Sequence, residues 1–144
     1  MTETAFGRMT QADVAAIVAF DGRVGPPGGA WHGGAPEGGA PEAGGAFHVP
    51  WFELSPALTA FYKAAYAHGL VVSFDWSRWT ADGGGGLVFA APEQMAGYTL
   101  EEVQRVVTAI IRGDRFAEGT LAEAIADGRI AALVRRVAVL AREG

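Results

Sequence analysis

From Thr99 to the end of the chain, apolar residues recur with the 3.6-residue period of an α-helix. Thr99 and Glu102 form a capping-box pattern, in which each side chain satisfies a backbone amide of the first turn. Gly113 supplies a stop signal. Such a helix needs an apolar partner surface, so this feature limits the fold more than any other. The buried stripe comprises Val103, Val106, Val107, Ile110 and Ile111.

Two more helices are predicted after this one. A second capping box, Thr120 with Glu123, opens a short helix that ends at Gly128. The final helix has an apolar stripe of Ile130, Leu133, Val134, Val137 and Leu140. Its arginines, which are Arg129, Arg135, Arg136 and Arg142, lie off that stripe.

Two helices are predicted upstream. Ser55 caps a helix that begins with Pro56 and runs to His68, and Thr10 with Asp13 opens a shorter one. The partly β-branched and aromatic segments 47–51 and 70–74 are candidates for short strands. The four glycines from Gly83 to Gly86 predict a flexible turn, and no GK[ST] sequence follows that would make it a phosphate loop.

The segment from Gly25 to Ala46 differs in composition from the rest. Eighteen of its 22 residues are Gly, Pro or Ala, and the pentapeptide Gly-Gly-Ala-Pro-Glu occurs twice in succession. These residues offer little apolar surface for packing, so the segment is predicted to be a low-complexity flexible loop. Trp31 is the exception, since an indole is costly to leave in water, and it is expected to dock onto the body.

Composition excludes several classes of protein. Half of the 144 residues are hydrophobic and the formal net charge is -5, the reverse of a general nucleic-acid binder. The chain has no cysteine, hence no disulfide and no thiolate metal site, which fits the cytoplasm. Neither a signal peptide nor a membrane span is readable. The expectation is one compact, mainly α domain over residues 1–144, with about five helices, a possible two-stranded element and the 25–46 loop.

Three segments resemble a bacterial domain family of unknown function, numbered 6508. They are Asp75-Trp76-Ser77-Arg78-Trp79, then the run from Arg112 to Leu121 (RGDRFAEGTL), then Gly128-Arg129-Ile130 with Leu133 and Arg136. The likeness spans roughly residues 47–139, and the second segment is the most specific. The family has no established activity, so the resemblance implies a fold, and association with accessory or mobile-element genes, but no mechanism.

The turn between the two best-defined helices is the first candidate site. The structural interpretation has Asp114 capping a turn, Arg115 pairing with Glu118, and Phe116 filling the core. The functional interpretation makes Arg112 and Arg115 a clamp for an anion or carboxylate, because a guanidinium binds such groups through two hydrogen bonds.

Asp75, Trp76 and Trp79 form the second candidate site. Asp75 follows an apolar run, where a desolvated carboxylate can do acid–base chemistry, but an aspartate there more often caps the next turn. The histidines lack the spacing of a zinc site and no serine lies in a G-x-S-x-G elbow, so neither a metal nor another cofactor is predicted.

Three functions remain open at this point. The favoured one is a non-enzymatic protein-binding module, an inhibitor or accessory subunit of a larger bacterial machine, because the four tryptophans exceed what a core of this size needs. The second is a weak DNA-binding regulator that uses a helix-turn-helix-like segment, Leu121–Arg136. The third is an enzyme of unrecognised type that uses Asp75, Arg115 and Glu118. The expected partner is therefore another protein, nucleic acid is disfavoured, and the sequence does not fix the oligomeric state.

Overall fold

The computed structural model describes residues 9–32, 51–116 and 119–143. Within them it is a mainly α fold with a short two-stranded antiparallel sheet, as the sequence predicts. The helices are α1 (Gln11–Val18), α2 (Pro56–Ala67), α3 (Trp76–Trp79), α4 (Gly85–Val88), α5 (Leu100–Gly113), α6 (Thr120–Ala126) and α7 (Arg129–Glu143). The strands are β1 (Gly29–His32) and β2 (Trp51–Leu54), a π-helical turn (Thr80–Gly84) joins α3 to α4, and a 3₁₀ turn (Pro92–Gly97) precedes α5.

The sheet corrects the prediction that Gly25–Ala46 is only a low-complexity loop. β1 lies inside that segment and pairs with β2. At its entry, Gly28 has φ +66°, and a Cβ there would lie 2.4 Å from Cγ2 of Ile125 in α6. Only glycine fits this close approach. The pairs are Gly29 with Leu54, Ala30 with Glu53, Trp31 with Phe52, and His32 with Trp51.

Of the predicted strand 47–51, only Trp51 falls among the described residues, and it is the first residue of β2. The tandem pentapeptide lies outside the described residues. The second predicted strand, 70–74, is wrong, because this segment joins no sheet.

Buried polar side chains of α5 explain the conformation of residues 70–74. Thr108 accepts a hydrogen bond from the Val72 amide at 2.9 Å, and its hydroxyl donates to the Gln104 carbonyl at 2.7 Å. Gln104 Nε2 donates to the Gly69 carbonyl at 2.8 Å. Side chains of one helix thus satisfy backbone groups that a neighbouring strand would otherwise pair.

The glycines from Gly83 to Gly86 are not a free turn. Gly83 alone has left-handed backbone, at φ +124°. Gly84 is buried against Trp79, where a Cβ would lie 2.4 Å from the indole, and Gly85 begins α4. All four therefore lie within helical elements, Gly83 and Gly84 in the π-helical turn and Gly85 and Gly86 in α4, and the packing of Trp79 holds Gly84 in place.

The core is centred on α5, which contacts α3, α4, α6 and α7. The predicted stripe on this helix is buried, as are the apolar faces of α6 and α7. At the edge of the core, the Asp13 carboxylate lies 3.0 Å from His68 Nδ1 and links α1 to the end of α2. This hydrogen bond, together with those from Thr10, lowers the pKa of Asp13.

Arg129 is buried, although the sequence places it off the apolar stripe of α7. Its side chain is 3% exposed. Nε donates to Asp127 Oδ2 at 2.8 Å, and Nη1 donates to the Val88 carbonyl at 2.8 Å. The guanidinium also lies under the ring of Phe89, 5.6 Å from its centroid. Because its donors bind acceptors within the chain, the charge is tolerated inside the fold.

Arg129→Ala is expected to lower the free energy of unfolding by about 2–3 kcal/mol, since the Val88 carbonyl loses its donor and a cavity remains. Equilibrium urea unfolding gives the value. The matched control is Arg135→Ala, which removes an exposed pair with Asp21 (2.8 Å) and should cost about 1 kcal/mol or less. Equal costs for the two variants would contradict the prediction.

Candidate recognition surface at the Asp114–Leu121 turn

Asp75 has a structural role. Its carboxylate accepts a hydrogen bond from the Arg78 amide at 3.1 Å and caps α3. The capping interpretation is confirmed. Trp79 packs edge-on against Phe74, with centroids 5.7 Å apart, whereas Trp76 lies at the end of α5, with its ring 3.6 Å from the position of a Cβ on Gly113. Of this sequence cluster, Trp76 alone is placed against the turn.

Asp114 joins two helices through one oxygen. Its Oδ1 accepts hydrogen bonds from the amides of Gly119, at 3.1 Å, and Leu121, at 3.0 Å. The N-cap of α6 is Gly119, with left-handed φ +97°, and Thr120 is the first helical residue. The predicted Thr120–Glu123 capping box is therefore wrong. Thr120 is not the N-cap, and the hydrogen-bond acceptor for the amides at the start of α6 is the carboxylate of Asp114. An aspartate at a helix N-terminus is favoured by the helix dipole as well.

Phe116 lies on the surface. The expectation that it fills the core is wrong, because 81% of it is exposed. Among the described residues, its ring contacts that of Trp76, with centroids 6.0 Å apart. The turn is held by the Asp114 carboxylate and needs no apolar plug, so its large side chain faces solvent. Arg115 is exposed beside it, and Glu118 lies outside the described residues.

Tyrosines of α2 border the other side of the turn. The rings of Tyr62 and Tyr66 lie 5.3 Å apart. Burial raises the pKa of Tyr62, a hydrogen bond with Tyr66 raises it further, and the nearby charge of Arg115 opposes the shift while that of Asp114 adds to it. Tyr62 is thus close to both charged residues of the turn.

The antiparallel pair of strands β1 and β2, called the hairpin below, completes this surface from the N-terminal side. Trp31 lies over the turn, with its ring 3.4 Å from the position of a Cβ on Gly119, and meets Phe52 edge-on at 5.3 Å. The other face of the hairpin carries His32, stacked on Trp51 at 4.8 Å and hydrogen-bonded to Glu53 at 2.9 Å. The docking of Trp31 that the sequence predicts is confirmed, yet 53% of this residue remains exposed.

A cleft of about 160 Å³ separates the hairpin from the turn and α2. Ligand pockets for small molecules usually enclose roughly 300–1,000 Å³, whereas a cavity of about 150 Å³ accommodates a benzene molecule. The cleft is therefore the size of one ring-shaped or branched side chain. Its lining residues are Trp51, Phe52, Leu54, Tyr62, Asp114, Gly119, Leu121 and Ala122.

The sequence missed the contribution of Phe52 and Tyr62 to this site. Both belong to elements that are distant along the chain from the turn, so no local pattern connects them to it. The recurrence of tryptophan is the one signal that pointed here.

Of the three residues assigned to the enzyme alternative, Asp75 caps α3 and Arg115 is exposed at the turn, whereas Glu118 lies outside the described residues. Over the described parts of the chain, no cluster of three or more metal-ligating side chains occurs. None of the helices in those parts has the length and hydrophobicity needed to cross a bilayer.

Comparison with known proteins gives a family but no function. Residues 9–143 match the model of a family described as "Family of unknown function (DUF6508)". No curated protein and no solved structure matches the chain.

Phe116→Ala is expected to change the free energy of unfolding by less than about 1.5 kcal/mol, because only the tilted ring contact with Trp76 is lost. Phe61→Ala serves as the control, since Phe61 is 1% exposed in the core and its loss should cost about 3–5 kcal/mol. Urea unfolding of both variants tests this. A cost for Phe116→Ala as large as that of the control would mean that the ring is buried.

Asp114→Ala is expected to cost about 1–2 kcal/mol, because the amides of Gly119 and Leu121 lose their acceptor. Asp114→Asn keeps an acceptor oxygen and should retain part of this stability. The same unfolding measurement compares them, and wild-type stability of Asp114→Ala would show that the carboxylate does not hold the turn.

Proposed function

The chain belongs to the DUF6508 family, whose function is unknown, and we propose that it is a non-enzymatic protein-binding module that recognises its partner through the surface around the Asp114–Leu121 turn. In this role it acts as an inhibitor or accessory subunit of a larger bacterial assembly. We refer to Trp31, Tyr62, Tyr66, Trp76, Arg115, Phe116 and the adjoining cleft as the turn surface.

One observation carries the proposal: large aromatic side chains are exposed around a cleft of side-chain size. Trp31 is 53% exposed and Phe116 81%, and Tyr66 beside Tyr62 is 40% exposed. Exposed aromatic groups that cluster are characteristic of protein interfaces, where tryptophan, tyrosine and arginine supply most of the binding energy. The turn surface contains all three of these residue types.

Rigid support distinguishes this surface from an accidental patch. Asp114 fixes the turn, and Trp31 rests against both Gly119 and Phe52. A side chain held in one orientation loses little conformational entropy on binding. The surface is thus preorganised to receive a partner.

The arginines of the segment Leu121–Arg136 favour DNA binding less than protein binding. Arg129 is buried in the fold, Arg135 pairs with Asp21, and Arg136 Nε donates to the Tyr98 carbonyl at 2.6 Å. Guanidinium groups that bind acceptors within the chain are poorly available for phosphates. This favours protein binding.

Affinity capture with matched variants tests the proposal. The immobilised chain is incubated with a lysate of its native host, beside the double variant Trp31→Ala/Phe116→Ala and the control Phe89→Ala. Phe89 is 64% exposed but contacts Arg129 away from the turn. We expect a protein that is retained by the wild type and by the control and is lost from the double variant.

Circular dichroism first verifies that all three proteins are folded. Retention of the same proteins by the wild type and the double variant, or specific retention of none, would contradict a binding role for the turn surface.

A further inference from the structure

Most arginines of this chain bind acceptors or aromatic rings within the chain. Carboxylates pair with Arg78, Arg105, Arg129 and Arg135, the Tyr98 carbonyl accepts from Arg136, and the Phe20 ring lies under Arg23. Over the described residues, Arg112, Arg115 and Arg142 have no ion pair with a carboxylate. Arg142 lies in the last turn of α7, remote in sequence from the turn.

The two remaining unpaired arginines flank the aromatic turn. The Arg115 amide donates to the Arg112 carbonyl at 3.3 Å, so Arg115 lies one turn after Arg112, just past the end of α5. Arg112 is half-buried and Arg115 is exposed. The charge of Arg112 also suits the helix C-terminus, but that of Arg115 lies beyond the helix and near Tyr62.

Among the described residues, the carboxylates near the turn are already hydrogen-bonded. Asp114 Oδ1 accepts two backbone hydrogen bonds, and Glu53 is hydrogen-bonded to His32. Neither forms an ion pair with Arg112 or Arg115. Within the described residues, the guanidinium groups of Arg112 and Arg115 are therefore left without an ion pair, in a chain whose formal net charge is -5.

From this charge distribution we propose that the segment bound at the turn surface is acidic and carries one aromatic or leucine-sized anchor residue. The anchor enters the cleft of about 160 Å³, and carboxylates beside it bind Arg115, with Arg112 as the second cation. A guanidinium is suited to this, since it offers paired donors that match a carboxylate. The inference rests on the proposed function and adds the chemistry of the partner.

The overall negative charge makes this recognition selective. It repels acidic segments in general, so an acidic partner is retained only where the local cations and the cleft act together. Attraction between exposed charges is screened by salt, so binding should weaken as ionic strength rises.

Selection from a phage library of random dodecapeptides tests the inference. The full chain is the bait, and the double variant Trp31→Ala/Phe116→Ala serves for counter-selection. We expect the enriched peptides to combine one Phe, Tyr, Trp or Leu with two or more Asp or Glu. Their affinities are then measured by fluorescence anisotropy at low and near-physiological salt.

Two charge reversals are compared on the enriched peptides. Arg115→Glu is expected to weaken binding about tenfold or more and to reduce its dependence on salt. Arg142→Glu changes the net charge equally and should alter affinity less than about twofold. Arg115→Gln, which removes charge without reversing it, should give an intermediate loss.

The outcomes distinguish a failure of the acidic-partner inference from a failure of the proposed binding function. Enriched peptides without acidic residues, or equal effects of Arg115→Glu and Arg142→Glu, would overturn the acidic partner while leaving the turn surface as a binding site. A selection that enriches no peptide over the double variant would overturn both.

Discussion

The Asp114 carboxylate fixes the geometry on which the rest of the candidate site depends. One oxygen receives two amides, so the end of α5 and the start of α6 are held at a defined separation. Gly119 is thereby placed where Trp31 rests against it, and Leu121 lines the cleft. Hydrogen bonds to a carboxylate are stronger than neutral ones, which makes a single side chain sufficient for this task.

Because the Asp114 carboxylate holds the turn, burial of the Phe116 side chain is not needed to close it. A turn closed by hydrophobic packing must bury its large apolar side chain, whereas in this turn the side chain of Phe116 is exposed to solvent. The core below is completed independently, by α5 against α6 and α7. In the proposed function, stability and recognition therefore depend on different side chains within a few residues of each other.

The sequence predicted those elements whose determinants are local. Periodic apolar stripes and capping residues identified α1, α2, α5 and α7, and α6 was predicted in the right place although its capping acceptor is Asp114 and not Thr120. β1 was missed because its stability comes from pairing with β2 and from the fit of Gly28 against α6, and neither appears in its composition. The short helices α3 and α4 likewise depend on tertiary contacts such as Trp79 against Gly84.

Two side chains were assigned to the wrong environment for opposite reasons. Arg129 was separated from the apolar stripe by its charge, but Asp127 and the Val88 carbonyl supply acceptors that make its burial tolerable. Phe116 was assigned to the core by its hydrophobicity, although apolar character does not require burial. The candidate site could be predicted only in part, because the turn is visible in the sequence but its neighbours from the hairpin and α2 are not.

The size of the exposed aromatic surface also bears on the kind of partner. A tryptophan or phenylalanine contributes roughly 150–250 Å² when fully buried. With Trp31, Tyr66 and Phe116 between two-fifths and four-fifths exposed, these three aromatic side chains offer on the order of 300–400 Å² to a partner. A standard interface uses roughly 800 Å² from each protein. The aromatic groups thus supply close to half of such an area, which leaves the remainder to polar contacts at the rim, where Arg115 lies. This proportion of aromatic centre to charged rim suits a protein segment better than a small molecule.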